Sequence, residues 1–493
     1  MLTRLIAIIS ALLGYYAAAA STPTLSANAK EQQAAGLHAA LTFIRKQRPP
    51  TFKPGHSLPY PSQWRAVPFE LAKELADNWG YALYLGRLTP NLIAELGDPD
   101  GDAGKIVRLA AAHPHKYKLQ VTIAPAFSIR TYKKTLPTES FLLDASGNLL
   151  EGKRVFSPVA LDETFRRIGS YEAEMVGAVR KHTPISIITN GGEYGHNSAG
   201  HSAHLYEQDP RVMKAKGDVP WQEFLSDCKA RQERLVRRQV KQAAPDAMYI
   251  MYGGTGGGHA HRQRYDGWDQ WGFSFRAGVS DLPATSLYHG HYNTGFTGDI
   301  DLLTLLLNAR AQEIAAGESF CYPWVSLGWY RKQNIGDATL YTGWLKCAYT
   351  AGALGAVAGY FGAAPHQDPV VQSLPQFLAL ARVHAQFTHL DEFIRDSDLL
   401  PGRQRHRWSK DLPAYELPTD HQHKRVLARK HRTRREWLVT AWAADGKAGP
   451  VTVAIDRRSR KITLEAHPAG HVYRVALAAD GLTEITCLDP DPL

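Results

Sequence analysis

Glu193 stands in the run Asn190-Gly191-Gly192-Glu193-Tyr194-Gly195, directly after the apolar stretch Ile185-Ser186-Ile187-Ile188-Thr189. Glycine lets a backbone turn sharply and lets a ligand come close to it. A carboxyl group in such a turn, shielded by Tyr194 and near His196 in sequence, suits general acid catalysis, since partial burial raises its pKa toward neutrality. The bland alternative is a solvated loop glutamate. One bond whose cleavage needs such an acid, the glycosidic bond, also needs a second carboxylate, about 5–5.5 Å away for retention and about 6.5–9.5 Å for inversion. Asp266, Asp269, Asp299, Asp301, Asp337 and Asp368 all follow predicted strands. Asp266 and Asp299 rank first and equal. Asp266 sits in Tyr265-Asp266-Gly267-Trp268-Asp269-Gln270-Trp271, where aromatic faces alternate with hydrogen-bonding groups; Asp299 also reads as the N-cap of a following helix.

Sugars offer flat C–H faces beside hydroxyls, so a site for them needs aromatic plates with polar groups close by. Asn190, Tyr252, Trp268, Tyr292, Trp324 and Trp329 all stand at or near predicted strand ends, although any one aromatic is more often core than platform. Two His-x-His pairs offer a different chemistry: His289-Gly290-His291, and His259-Ala260-His261 after the run Gly253–Gly258. Residues i and i+2 of a strand share a face, so two imidazoles can grip one metal, with Glu193 as a further ligand. A metal-dependent barrel hydrolase would, however, carry such a pair on its first strand, and no early strand here does. Polar, sugar-contacting histidines at positions 289 and 291 fit better, and no metal or other cofactor is implied. The glycine run lacks the Lys-Ser/Thr of a phosphate-binding loop.

These residues need elements to hold them. From about residue 65 to 365, short apolar strands alternate with longer helical patterns. The strands read as Tyr81–Gly86, Leu119–Ala124, Ile185–Thr189, Met248–Tyr252, Thr285–His291, Phe320–Ser326 and Ala356–Phe361; the helices include Leu161–Arg180, Trp221–Ala243 and Leu302–Ala316. That rhythm predicts an α/β fold with a parallel sheet and, at this many repeats, a (β/α)8 TIM barrel, whose working residues follow the strands. Beyond residue 400 helices give way to strands at Arg425–Lys430, Glu436–Trp442, Val451–Ile455, Lys461–Glu465 and Tyr473–Leu477, with Ala444-Asp445-Gly446 as a turn. An antiparallel, β-sandwich-like domain is expected there, with 396–418 as linker.

With the end of Ile185–Thr189 taken as the fourth strand end of the barrel, the chain resembles the (β/α)8 glycoside hydrolases of the clan that places its glutamate acid/base there, with the trailing β domain that many such enzymes carry. The segment Phe141-Leu142-Leu143-Asp144-Ala145-Ser146-Gly147-Asn148-Leu149 is similar to the substrate-side loop before strand four in secreted members. The resemblance implies glycoside hydrolysis with Glu193 as acid/base. The pattern differs in two places: Gly192, not Asn, precedes the glutamate, with Asn190 three positions before it, and Glu318 enters strand seven where the clan has a nucleophile at the strand's other end.

The 493 residues are 44% hydrophobic, 21% charged and 10% aromatic, a globular composition that excludes disorder, collagen and long coiled coil. Four scattered cysteines form no CxxC pair and no disulfide framework. Arg4 followed by the apolar run from Leu5 to Ala20 reads as a secretory signal peptide, so a secreted or periplasmic protein with no later membrane span is expected. The domains read as 1–20 signal peptide, 21–64 lead-in with a helix near Lys30 to Arg48 and a Pro-rich stretch, 65–395 barrel and 396–493 β domain. Most of the net charge of +10 falls in 401–460, with 15 Lys/Arg against 6 acids. Such a patch suits an anionic polysaccharide better than nucleic acid in an exported protein; a solvated set of basic strand faces is the plainer alternative. A non-catalytic carbohydrate-binding barrel remains the alternative from another class.

Overall fold

The structure, a computed structural model, describes residues 27–125, 134–191, 203–252, 277–284, 286–287, 320–326, 338–359, 369–400, 424–454, 461–478 and 483–489. The chain divides into two compact units, Met1–Gln47 and Arg48–Leu493. In the first, helix α1 spans Ala27–Arg45, three residues earlier than the sequence reading at each end.

In the second unit, α/β segments come first: β1 (Ser62–Gln63), α2 (Phe69–Trp79), β2 (Leu83–Arg87), α3 (Pro90–Glu95), α4 (Asp102–Ala112), β3 (Leu119–Ile123), α5 (Asp162–Arg180), β4 (Ile187–Asn190), α6 (Ala203–Tyr206), α7 (Pro210–Lys216), α8 (Trp221–Ala243), β5 (Met248–Tyr252), β6 (Leu282–Ala284), β7 (Ser286–Leu287), β8 (Trp324–Ser326), α9 (Ala338–Ala351) and β9 (Val357–Gly359). Helices α10 (Pro369–Thr388) and α11 (Asp391–Arg395) follow. All of these strands pair in parallel, in the orders β2-β3-β4-β5-β6 and β1-β9-β8-β7. One backbone bond, Ala82 N–H to the Pro61 carbonyl at 2.9 Å, joins the flanks of β1 and β2. Strands β3 to β5 are buried along nearly their whole length, as the continuous apolar runs require of a sheet covered on both faces.

Among the described residues, strand and helix positions agree with the sequence reading to within a few residues, and α8 and β5 match it end to end; the expected helix Leu302–Ala316 lies outside the described residues. The pair β6 and β7 begins three residues before the expected Thr285, because Leu282 joins the ladder beside Ile250. Residues 288–291 lie outside the described residues. Helix α2 stops at Gly80, whose φ of 67° is left-handed and whose N–H reaches back to Leu75 O, which turns the chain into β2. The segment Phe141–Leu149 closes on itself through a Leu143–Leu149 bridge; Leu142 and Leu150 join a core with Tyr206, Val212 and Leu225, and Asp209 accepts the Leu143 N–H at 3.0 Å.

The C-terminal part is antiparallel: β10 (Ser397–Leu399), β11 (Lys424–His431), β12 (Glu436–Ala443), β15 (His471–Leu477) and β16 (Thr483–Cys487) form one sheet in that order, and β13 (Gly449–Ala454) pairs with β14 (Lys461–Ala466). Val451, Ile462 and Leu464 of the hairpin pack against Val426, Trp437, Val439 and Tyr473 of the sheet. On the sheet's other side Thr350 of α9 meets Thr440 at 2.6 Å, so β12 is buried on both faces and reads Glu-Trp-Leu-Val-Thr-Ala-Trp-Ala instead of alternating. Ser397–Leu399, expected as linker, is a strand instead, because its backbone completes the ladder of β11. No helix of the described residues is long and apolar enough to cross a membrane. All four cysteines are free.

Candidate functional site

Asn190, Tyr252 and Trp324 are the sequence-derived site residues that lie among the described residues. Glu193, Asp266, Asp299, Trp268, His289, His291, Tyr292 and Trp329 lie outside them, as do His259, His261 and Gly253–Gly258.

Tyr252 and Trp324 come together. Tyr252 is the last residue of β5 and Trp324 the first of β8, and their rings meet edge to face with centroids 5.2 Å apart. A third ring, Trp64, follows β1 directly and stands perpendicular to Trp324 at 6.4 Å. Tyr252 and Trp324 are buried, while Trp64 is half-buried. Edge-to-face contacts of this kind lock ring orientations, which a stacking platform needs.

Asn190 is placed elsewhere. Its side chain is fully buried, and its Nδ2 donates to the Tyr249 hydroxyl at 2.8 Å and to Glu233 Oε2 at 3.2 Å. Both Nδ2 hydrogens are thus used within the protein, and the amide anchors the point where the chain leaves β4. On the opposite face of that strand, Thr189 meets Thr122 of β3 at 2.6 Å, and Thr122 accepts from Tyr84 of β2 at 3.0 Å. Gln120 reaches the same group, with Nε2 3.5 Å from Thr189 Oγ1.

Glu233 belongs to a buried charged cluster. On α8 it forms an ion pair with Lys229 at 2.5 Å, with neither side chain exposed. On α5, packed against α8, the equally buried Glu172 accepts the N–H of Ala124, the residue after β3, at 3.1 Å. Burial pulls the Lys229 ammonium below its ordinary pKa, while Glu233 pulls it the other way. Burial, then the Glu233 charge, pushes the Tyr249 phenol well above its ordinary value, so that it stays a neutral partner for Asn190. Among the described residues no group of three or more His, Cys, Asp or Glu side chains is placed to hold a metal ion.

The sequence reading missed Trp64, Glu172, Lys229 and Glu233. For Trp64 the signal was absent: its strand is Ser62–Gln63, two polar residues without an apolar run. For Lys229 and Glu233 a signal exists, since both fall on the helical stripe of Leu225, Val236 and Val240 that α8 buries.

In fold, the chain is similar to glycoside hydrolases. Solved structures that resemble it include a GH42 exo-carrageenase from Bacteroides ovatus, at 8% identity and TM-score 0.46 over 89% of this chain and 87% of that one. A beta-galactosidase from a Rahnella species matches at 11% identity and TM-score 0.41 over 72% of this chain; the match spans 59% of the galactosidase. A GH30 endoxylanase from Clostridium papyrosolvens matches at 8% identity and TM-score 0.36 over 89% of this chain and 96% of the other. No family model and no curated protein matches the chain.

Proposed function

We propose that this protein is an exported glycoside hydrolase built on a (β/α)8 barrel, with Glu193 as general acid/base and a polysaccharide or oligosaccharide as substrate. The observation that carries the reading is the meeting of Trp64, Trp324 and Tyr252, rings delivered by β1, β8 and β5. With β6 and β7 counted together, β5, β8 and β1 are alternate members of the pairing order, so large rings at their ends can meet across the strand between. The register supports a closed sheet. With β6 and β7 taken as one strand, the parallel pairs run from β2 through β3, β4, β5, β6/β7, β8 and β9 to β1, and the Pro61–Ala82 bond leads from β1 back to β2, the closed pairing order of an eight-stranded parallel barrel. In such a barrel the ends of β1 and β5, where Trp64 and Tyr252 stand, open on the same side as the end of β4, after which the sequence reaches Glu193 three residues later, and aromatic faces with a carboxylic acid are what hydrolysis of a sugar needs.

The test is release of reducing ends from a panel of neutral and anionic polysaccharides and aryl glycosides. Wild-type protein is expected to cleave at least one, and Glu193→Gln to lose activity by about 10²-fold or more, the typical contribution of a positioned acid. Full activity in Glu193→Gln overturns the assignment, and binding without cleavage turns the reading into a carbohydrate-binding barrel. Export predicts a mature protein that begins near Ser21.

A further inference from the structure

Lys229, Glu233 and Glu172 are costly residues to keep where they are. A carboxylate or ammonium removed from water loses its hydration, and replacement by apolar side chains is often neutral or stabilising for the fold. All three are buried, on helices α5 and α8, and together they hold two carboxylates against one ammonium. What the two carboxylates touch is specific. Glu172 Oε2 accepts the N–H of Ala124, the first residue beyond β3, and Glu233 Oε2 accepts from Asn190, the last residue of β4. These are the points where two neighbouring strands end and their loops begin, and the loop after β4 is the one that carries Glu193.

We propose that Glu172 and Glu233, with Lys229 as counter-ion, are positioning residues that fix the strand ends at Ala124 and Asn190, and so the point from which the chain departs toward Glu193. This rests on the glycosidase reading for its kinetic consequence, though not for its structural one. Glu233 accepts from Asn190 at 3.2 Å, sharing that amide with the Tyr249 hydroxyl, and Lys229 pairs with the other Glu233 oxygen at 2.5 Å and so aims the carboxyl group. A carboxamide at position 233 or 172 keeps the shape and one acceptor oxygen but loses the charge, so the loop origin gains freedom while the helix remains packed. An error of an ångström in an acid's position is enough to lower a rate by about 10²-fold.

The experiment compares Glu233→Gln, Glu172→Gln and the double change Lys229→Met/Glu233→Gln with a control, Asp489→Asn. The control removes charge from another buried pair, Lys346–Asp489 at 2.5 Å, which ties α9 to the C-terminal sheet. On the best substrate of the glycan panel, the Glu233 and Glu172 variants are expected to lose at least tenfold in kcat with KM changed less than threefold. Asp489→Asn should lose thermal stability with kcat unchanged. Amide hydrogen exchange should accelerate at least tenfold at Asn190, in the ladders of β4 with β3 and β5, in Glu233→Gln and at Ala124 in Glu172→Gln, and stay as in wild type at both in Asp489→Asn. The proposal is overturned by a kcat that follows stability in all variants alike, or by unaltered exchange at Asn190 and Ala124. If wild-type protein cleaves nothing, the glycosidase reading fails by itself, and the exchange measurement alone decides whether the carboxylates position these loops.

Discussion

The side-chain amide of Gln120 on β3 bonds both backbone groups of Gln63 on β1: its Oε1 accepts the Gln63 N–H at 2.9 Å and its Nε2 donates to the Gln63 carbonyl at 2.8 Å. Both residues are fully buried. The carboxamide acts as a surrogate peptide, satisfying the edge of a strand only two residues long. Gln120→Leu leaves a donor and an acceptor of the backbone buried and unpaired, each worth about 1–3 kcal/mol. Chemical denaturation should show a loss of roughly 2–6 kcal/mol; equal stability of Gln120→Leu and wild type would contradict the pairing.

His384, on α10, carries a prediction about acid. Burial holds its imidazole far below the ordinary 6.5, down to about 3, and His56, with its ring 5.7 Å away, adds to the effect. Its Nδ1 lies 3.0 Å from the Tyr349 hydroxyl. Since the folded protein binds this proton less readily than the unfolded chain, the stabilisation is complete above pH 6.5 and drains away as pH falls from there toward 3. The drain is about 1.4 kcal/mol per pH unit, or roughly 3 kcal/mol by pH 4. His384→Gln, which still offers Tyr349 an acceptor, should flatten the dependence of unfolding free energy on pH over that window. A variant with the same acid slope as wild type would place the proton elsewhere.

Strands with apolar runs and helices with clean stripes were legible because burial on both faces leaves a composition: Met248–Tyr252 and Trp221–Ala243 follow directly from it. Ser62–Gln63 was not legible, because its ladder is completed by backbone partners at Ala356 and Ala358 and by the Gln120 amide, none of them near in sequence. At the site, the aromatic character of Tyr252 and Trp324 could be read, while their partner Trp64 depends on that hidden strand. Asn190 was chosen for its place after an apolar run, yet polar residues at a strand end are as readily recruited by a helix behind the sheet, and Glu233 is there to do so. Lys229 and Glu233 look in sequence like a common exposed i,i+4 pair; the apolar residues around them on the same stripe mark the difference.

The basic stretch after residue 400 is in part internal. Arg429 is wholly buried and donates to Ser397 Oγ at 2.9 Å, to the Ser397 carbonyl at 3.0 Å and to the Thr350 carbonyl at 3.4 Å, with its guanidinium over Phe320. Arg432 pairs with Asp398 at 2.9 Å, and Lys424 with Asp445 at 3.5 Å. A lysine cannot reproduce the planar fork that serves three acceptors at once. Arg429→Lys should therefore destabilise by about 3 kcal/mol in thermal or chemical unfolding, whereas Arg432→Lys, on an exposed pair, should change stability by less than about 1 kcal/mol.

Gly343 sits in α9 beneath the C-terminal sheet, and two effects of opposite sign act there. Helix propensity favours Gly343→Ala by about 1 kcal/mol. A Cβ at this position, however, would collide with the Trp442 indole and stand 2.5 Å from the Pro468 carbonyl, to which Trp442 Nε1 donates at 3.1 Å. Overpacking of a close-packed contact costs about 1–3 kcal/mol, and the atoms in the way are an aromatic ring and a backbone, neither able to swing aside. The clash should win, and Gly343→Ala should melt below wild type; a higher melting temperature would show that the sheet yields at this point.

Trp64 and Trp324 differ in exposure, and the difference separates recognition from packing. Trp324 is 2% exposed between Tyr252 and Trp64, so Trp324→Ala removes core and should cost about 3–5 kcal/mol of stability. Trp64 is half-buried and stands perpendicular to Trp324. If its ring stacks on a sugar, Trp64→Ala should raise KM on the cleaved polysaccharide about tenfold, equivalent to about 1.4 kcal/mol of binding, and Trp64→Phe should recover most of it because a flat aromatic surface is retained. The stability loss in Trp64→Ala should be clearly smaller than in Trp324→Ala. Steady-state kinetics and thermal unfolding on the same preparations give both numbers, and a Trp64→Ala protein with wild-type KM would return Trp64 to the core.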